Sequence, residues 1–404
     1  MHTYLDMVIA LIYTYLLLIM TFLLYCTGRR IRKDNKQIVS LSCFIGIITY
    51  TLNEGLRYGR GIDYNAYWDD YNTYLNGAEI NTDIGFRLVE NFLINLGLPW
   101  QCCVILMSFF FIFGAILFLK DFKSVPLSLP LFCLFSLADV ENMVRWYLAY
   151  SIYLIGLHFL LRDKRSYFKY FLISAIACTF HYAFIPIPLL IILLYSYNRH
   201  ICHPLISILI FFIIGLTFKT STMLAFTDLL NFVVDGSERF GRYGGQNAEY
   251  WLTSGYSGIK TRAFPHFTEI LMSCVLVYYG YKIKGNRNYL LTYNLFIIGF
   301  IIMPIANQIE LLRRYDQAFY FFRAIIVSEI IYNFLLVKKK KISYASRTAI
   351  FVIMVGYIGK PFIKPFVDNP QKYLYVWNSE DLSSKKMINM WVNDAYSRNK
   401  KRVQ

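Results

Sequence analysis

The residues in this chain best suited to chemistry are arginines set among glycines and aromatics. One run reads Glu54-Gly55-Leu56-Arg57-Tyr58-Gly59-Arg60-Gly61-Ile62-Asp63-Tyr64-Asn65-Ala66-Tyr67. A second reads Ser237-Glu238-Arg239-Phe240-Gly241-Arg242-Tyr243-Gly244-Gly245. Glycine lets backbone N–H groups approach an anion, and the planar guanidinium matches a phosphate with two parallel hydrogen bonds. Arg145 adds to them from the start of a helix in Glu141-Asn142-Met143-Val144-Arg145-Trp146-Tyr147, and Arg313 and Arg314 from the run Leu312–Asp316. His181 ends a short helix in Phe180-His181-Tyr182, just ahead of Pro186 and Pro188, where it is placed to act as a base or to bond a sugar.

The elements that must carry these residues are membrane helices. Hydrophobic residues make up 57% of the 404 and charged ones 16%, too few to cover a soluble surface. The apolar residues fall in blocks near 4–26, 38–53, 100–119, 126–137, 143–161, 170–179, 183–197, 204–218, 264–281, 289–304, 315–337 and 345–359. That pattern predicts an all-α polytopic membrane protein of about twelve helices, three of them (126–137, 170–179 and the last) short for a bilayer. Lys and Arg concentrate in alternate linkers, from Arg29–Lys33 through Arg162–Lys169 to Lys338–Lys341, which sets those linkers in the cytoplasm and the N-terminus outside. The first helix lacks a basic leader and a small-residue cleavage site, so it reads as a retained span.

This orientation gathers Arg57, Arg60, Arg145, Arg239, Arg242, Arg313, Arg314 and His181 on the outer side. Two longer outer loops, 54–99 and 227–262, carry most of them, and 84–98 reads as an amphipathic interfacial helix. Arginine is disfavoured in short outer loops, so its accumulation there points to phosphate binding. A lipid-linked diphosphate sugar needs several fixed cationic donors, each contributing about 1.5–3 kcal/mol. Residues 1–360 form the bundle on this reading, and 361–404 a basic tail.

Other features argue against rival chemistry. The net charge of +16 is scattered over short linkers, which fits anionic headgroups and excludes a nucleic-acid partner. The eight cysteines lie in or beside apolar segments, with no disulfide framework and no metal-site spacing. His200-Ile201-Cys202-His203 reads as a polar cytoplasmic turn, so neither a metal nor a cofactor is expected. Arg323 and Glu329 are intramembrane charges, costly and therefore functional by default, and six residues apart they face different ways.

The segment Leu56-Arg57-Tyr58-Gly59-Arg60-Gly61-Ile62-Asp63-Tyr64-Asn65-Ala66-Tyr67 resembles the LR-x-G-x-G-x-D-Y-x-x-Y segment of the EpsG family of bacterial polysaccharide polymerases, within the wider Wzy group. Arg145-Trp146-Tyr147-Leu148-Ala149 is similar to the family's R-Q-x-x-A helix start. Tyr167–Tyr170 with Ala177–Ala183, then Pro186 and Pro188, resemble its F-H-x-S-A region, while 239–243 and 313–321 match more loosely. The likeness spans roughly 40–330. Asp83-Ile84-Gly85-Phe86 departs from the usual acidic-Pro-Gly-Phe, Trp146 stands for Gln, and Tyr182 for Ser. The bulkier Trp146 and Tyr182 imply a different sugar.

The resemblance implies a bundle like the membrane-embedded C-type glycosyltransferases. It would polymerise undecaprenyl-diphosphate-linked oligosaccharide repeats on the outer, periplasmic face of the cytoplasmic membrane, without nucleotide sugar or metal. The seven arginines then hold the diphosphate, with Arg145 and Arg239 foremost. His181 is the first candidate base, and Asp63 or Glu54 the second; Tyr64, Tyr67, Tyr243 and Trp146 line the sugars. Membrane lipid is a partner, and a chain-length regulator is one by analogy. Three rivals stay open: an O-antigen ligase with the same donor, a membrane O-acyltransferase, and a flippase or transporter, for which paired repeats would be expected.

Overall fold

The computed structural model describes residues 4–34, 40–61, 63–77, 82–162, 164–218, 267–308, 310–337, 343–368 and 370–377. In chain order the α-helices are α1 (Tyr4–Lys33), α2 (Leu41–Gly55), α3 (Tyr64–Leu75), α4 (Ile84–Asn95), α5 (Trp100–Leu119), α6 (Val125–Asn142), α7 (Val144–Leu161), α8 (Tyr167–Phe180), α9 (Pro186–Ser196), α10 (Pro204–Thr217), α11 (Phe267–Tyr281), α12 (Arg287–Ala306), α13 (Glu310–Tyr320), α14 (Arg323–Ile330) and α15 (Tyr344–Val367). Among the described residues no strand forms; Arg57 and Tyr375 make an isolated antiparallel bridge.

The all-helical expectation holds among the described residues, whereas the expected twelve spans are not confirmed. Among the described residues, seven stretches are long and apolar enough to cross a membrane: α1, α5, α6, α7, α12, Leu312–Leu336 and α15. Four apolar helices are shorter: Tyr167–Phe180, Tyr182–Ser196, Pro204–Thr217 and Phe267–Tyr281. Two segments read as short are full-length. The block at 126–137 grows into α6 despite Pro130, and the block at 345–359 continues as α15 through Pro361 and Pro365. Around Pro130 the packed neighbouring helices can satisfy the freed carbonyl; α15, by contrast, is largely exposed.

The chain divides into two compact units, Met1–Leu193 with Ile358–Trp391, and Leu194–Tyr357 with Val392–Gln404. In the first unit α7 packs against α5 and α8, while α1 packs against α2 and α6. α5 carries apolar residues on every side and no charge, as a helix buried among others must. Its Gly114 permits the closest approach: a Cβ there would lie 2.4 Å from the Ser151 carbonyl oxygen of α7.

The loop read as 54–99 folds into two short helices. α4 turns Gly85, Phe86, Glu90 and Leu93 inward and leaves Ile84, Leu88, Phe92 and Leu96 exposed, the amphipathic stripe expected there. Gly85 seats it on the end of α8, where a Cβ would meet Thr179 and Phe180. α3, α4 and the start of α5 share one aromatic core of Tyr64, Tyr71, Phe86 and Trp100.

In the second unit α10 and α11 pack against α12 and α14. Arg323 pairs with Glu269 at 3.5 Å and lies 4.0 Å over the Tyr320 ring, while Glu329 accepts from Asn333 Nδ2 at 3.0 Å. The two intramembrane charges thus take separate partners, as their spacing predicts.

Candidate functional site

Two polar clusters occupy one end of the first unit. The first grows from the end of α2. Glu54 is fully buried; its Oε1 accepts from Asn53 Nδ2 at 2.9 Å and lies 3.6 Å from Arg60 Nη1. Arg57 Nη1 stands 3.8 Å from Glu54 Oε2, and Arg57 Nη2 donates to the Val140 carbonyl at 3.4 Å. Arg60 Nη1 meets Glu141 Oε1 at 3.2 Å, at the end of α6. Burial of unpaired charge is prohibitive, so this set of two arginines and two carboxylates is stable only as a set. Gly61 makes the closure possible, with φ +94 and a site for Cβ only 2.3 Å from the Glu141 carbonyl oxygen. Gln101 of α5 closes the other side, donating to the carbonyls of Gly55 and, at 3.2 Å, Arg57.

This geometry gives Glu54, Arg57 and Arg60 a different part from the one expected of them. Arg60 is 0% exposed and Arg57 2%, so neither guanidinium is open to a diphosphate here. Glu54 is held by two cations and an amide, which suits a structural counter-ion better than a base. The cavity bordered by Arg57, Ser108, Tyr147 and Ser151 measures about 10 Å³, room for one water and not for a sugar.

The second cluster lies where α3, α4 and α7 converge. Arg145, in the first turn of α7, meets Asp83 Oδ2 at 3.2 Å, and its Nε donates to the Tyr67 hydroxyl at 3.5 Å. The Tyr67 ring lies 5.4 Å beneath the guanidinium and stacks on Trp100, with centroids 6.3 Å apart. Asp70 and Glu90 add negative potential at Arg145. Burial raises both carboxyls above the usual range, with Arg145 opposing; Glu90 is pushed up to about 7, Asp70 adding to the rise. The Arg145 side chain keeps 21% of its surface exposed, which separates it from Arg57 and Arg60.

His181 joins the same corner through Trp146, the neighbour of Arg145. The two rings meet edge-on with centroids 5.3 Å apart, and Phe184 closes on Trp146 at 5.0 Å. Trp146 is 1% exposed and Tyr64 is buried with its hydroxyl donating to Gln101 Oε1 at 3.1 Å. Both were expected to face sugars; as folded, both are packing residues, and Tyr67 is the ring beside the open cation. Asp63 sits half-buried just before α3, its backbone N–H donating to Asn142 Oδ1 at 3.1 Å.

Arg313 and Arg314 lie on α13 in the second unit. Arg239, Arg242 and Tyr243 fall outside the described residues. Sequence reasoning did not single out Asp83, Asp70, Glu90 or Glu141 as site residues. Asp83 had a signal, the acidic position of the Asp83-Ile84-Gly85-Phe86 motif, and Glu90 had one in standing on the inward face of an amphipathic helix.

A family model described as the EpsG family matches residues 38–366. No curated protein and no solved structure matches the chain. The match takes in both clusters and the helices that carry them, and it extends past the 40–330 over which the motifs run. The chain therefore belongs to the EpsG family, a family of Wzy-type polysaccharide polymerases.

Proposed function

We propose that this protein polymerises oligosaccharide repeat units carried on undecaprenyl diphosphate, at the outer face of the cytoplasmic membrane. The observation that carries this reading is the partly exposed Arg145 on its aromatic floor, inside the family-matched residues and beside an amphipathic helix whose apolar stripe suits the headgroup layer. A lipid-borne donor would reach such a site sideways, with its diphosphate at the headgroup level.

In the transfer, an acceptor hydroxyl of one lipid-linked repeat attacks the anomeric carbon of the growing chain. A new glycosidic C–O bond forms, the C–O bond to the diphosphate breaks, and the lipid diphosphate leaves with the electron pair. Charge builds on that leaving group, so a fixed guanidinium stabilises the transition state more than the ground state. Arg145 takes this part, oriented by Asp83 and Tyr67. The hydroxyl proton needs an acceptor, and His181, held against Trp146, is the candidate base. The carboxyls of Asp83 and Asp70 suit sugar hydroxyls better than phosphate, so the saccharide lies on their side of Arg145. The buried Glu54–Arg57–Arg60–Glu141 set acts as the frame.

The test is reconstitution. Purified protein in lipid vesicles receives lipid-diphosphate-linked repeat units, without nucleotide sugar and with a chelator, and products are separated on a gel. The reading predicts a ladder of glycans. Movement of the intact substrate across the vesicle wall with no chain growth would replace the polymerase by a transporter.

A further inference from the structure

The chain beyond α15 returns to the buried arginine set. Tyr58 N–H donates to the Leu374 carbonyl at 3.1 Å, and Val376 N–H to the Leu56 carbonyl at 3.0 Å, pairing Arg57 with Tyr375. Arg60 Nε donates to the Leu374 carbonyl at 3.1 Å. The Arg60 guanidinium lies 4.2 Å from the Tyr375 ring centroid and 4.9 Å from that of Tyr13. The Tyr375 hydroxyl donates to Asn53 Oδ1 at 2.7 Å, and the Asn53 amide in turn donates to Glu54. Residues 372–375 are all buried. Tyr13 and Tyr375 both stand outside the family-matched residues 38–366, and from the chain's two flanks they close the shell around Arg60.

We propose that residues 372–376 form a strap that positions the transfer site through Arg60, with Tyr375 as its positioning residue. A buried guanidinium needs every face satisfied, and the strap supplies one ring face and one carbonyl. What Arg60 holds explains the consequence. Its Nη1 fixes Glu141, the next residue Asn142 holds the N–H of Asp63 ahead of α3, and Met143 leads directly into α7. Tyr67 on α3 and Arg145 on α7 meet only if both helix starts are held. Releasing Tyr375 therefore loosens the Arg145–Tyr67 pair without touching it. The strap also puts residue 376 on the same side of the bilayer as Leu56, the outer side in the proposed orientation.

The kinetic arm rests on the polymerase reading, and a second arm does not. In the reconstituted full-length protein, Tyr375→Ala is expected to lower kcat about tenfold with KM within about twofold, at equal amounts of folded protein. Tyr375→Phe keeps the ring over Arg60, loses only the hydroxyl bond to Asn53, and is expected to recover most of that loss. Separately, Leu56→Cys with Val376→Cys is expected to form a disulfide in intact cells, read by mass spectrometry as one cross-linked peptide. Each single variant is the control, because the eight native cysteines are free thiols. Unchanged kcat in Tyr375→Ala, or equal losses in the Ala and Phe variants, would overturn the positioning role. A cross-link absent both in intact cells and after an added oxidant on opened membranes would overturn the strap itself, while one formed only with the oxidant would keep the strap and place it on the reducing side. If the wild-type protein makes no glycan, the polymerase reading fails and the cross-link alone decides whether the strap stands.

Discussion

Arg60 and Arg145 each meet a carboxylate at 3.2 Å, yet they sit in opposite surroundings. Arg60 is sealed, with Glu54, Glu141, the Leu374 carbonyl and two tyrosine rings around one guanidinium. Arg145 has Asp83 and Tyr67 on two sides and keeps part of its surface open. The difference teaches that two arginines beside helix ends, each paired to a carboxylate at the same distance, can differ wholly in access: one is locked into the frame and the other is left partly open. Burial separates the two parts, whereas residue type and spacing do not.

The largest way to break this comparison is Arg60→Ala. Removing one partner of a buried ion-paired set leaves charge uncompensated, so a loss of about 3–5 kcal/mol is expected. Thermal unfolding in detergent would show it as a much-lowered midpoint or as loss of monodisperse protein. A mild effect there would mean that the frame is less closed than its geometry.

Gly61→Ala comes next, because it forces a side chain onto a φ of +94 and into the Glu141 carbonyl. A cost on the order of 2–3 kcal/mol is expected, visible in the same melt. Gly77→Ala, also at positive φ but with nothing within 4 Å of its Cβ, should cost clearly less and so isolates the contact with Glu141.

Glu90 tests the other cluster through pH. Its folded pKa is raised from the usual 4.5 to about 7, so the stability it contributes is fully present below about pH 4.5 and lost as pH rises through 7. Glu90→Gln should flatten the stability profile over that window, by at most about 3 kcal/mol. A profile that keeps its slope in the variant would assign the titration to another group. The smallest effect belongs to Tyr67→Phe, which keeps the ring beneath Arg145 and removes one long hydrogen bond. About 0.5–1.5 kcal/mol in kcat/KM is expected, with no change in melting.

Much of this was legible in the sequence. Apolar blocks marked the helices, the period of 84–98 marked α4, and Arg145 at the opening of α7 was picked out by residue type and neighbours. Helix ends were harder, since Pro130, Pro361 and Pro365 normally argue for a stop; Pro130 does not enforce one because its helix is packed among others, while the continuation of α15 through Pro361 and Pro365 has no such packing to explain it. The exposure of each arginine was not legible, because it depends on distant partners. Glu54 and Glu141 come from different helices, and Tyr375 arrives from more than three hundred positions away. The burial of Trp146 and Tyr64 was illegible for the same reason: an aromatic beside a cation reads alike whether its face is open or covered.

The most direct measurement compares Arg145→Ala with the wild-type protein in two readouts on the same preparation: glycan ladder formation from lipid-diphosphate-linked repeats, and thermal unfolding. The account predicts that turnover falls by about a hundredfold or more while the melting midpoint stays close to wild type. A ladder of wild-type length and rate from Arg145→Ala would contradict it, and would move the diphosphate site away from this cluster.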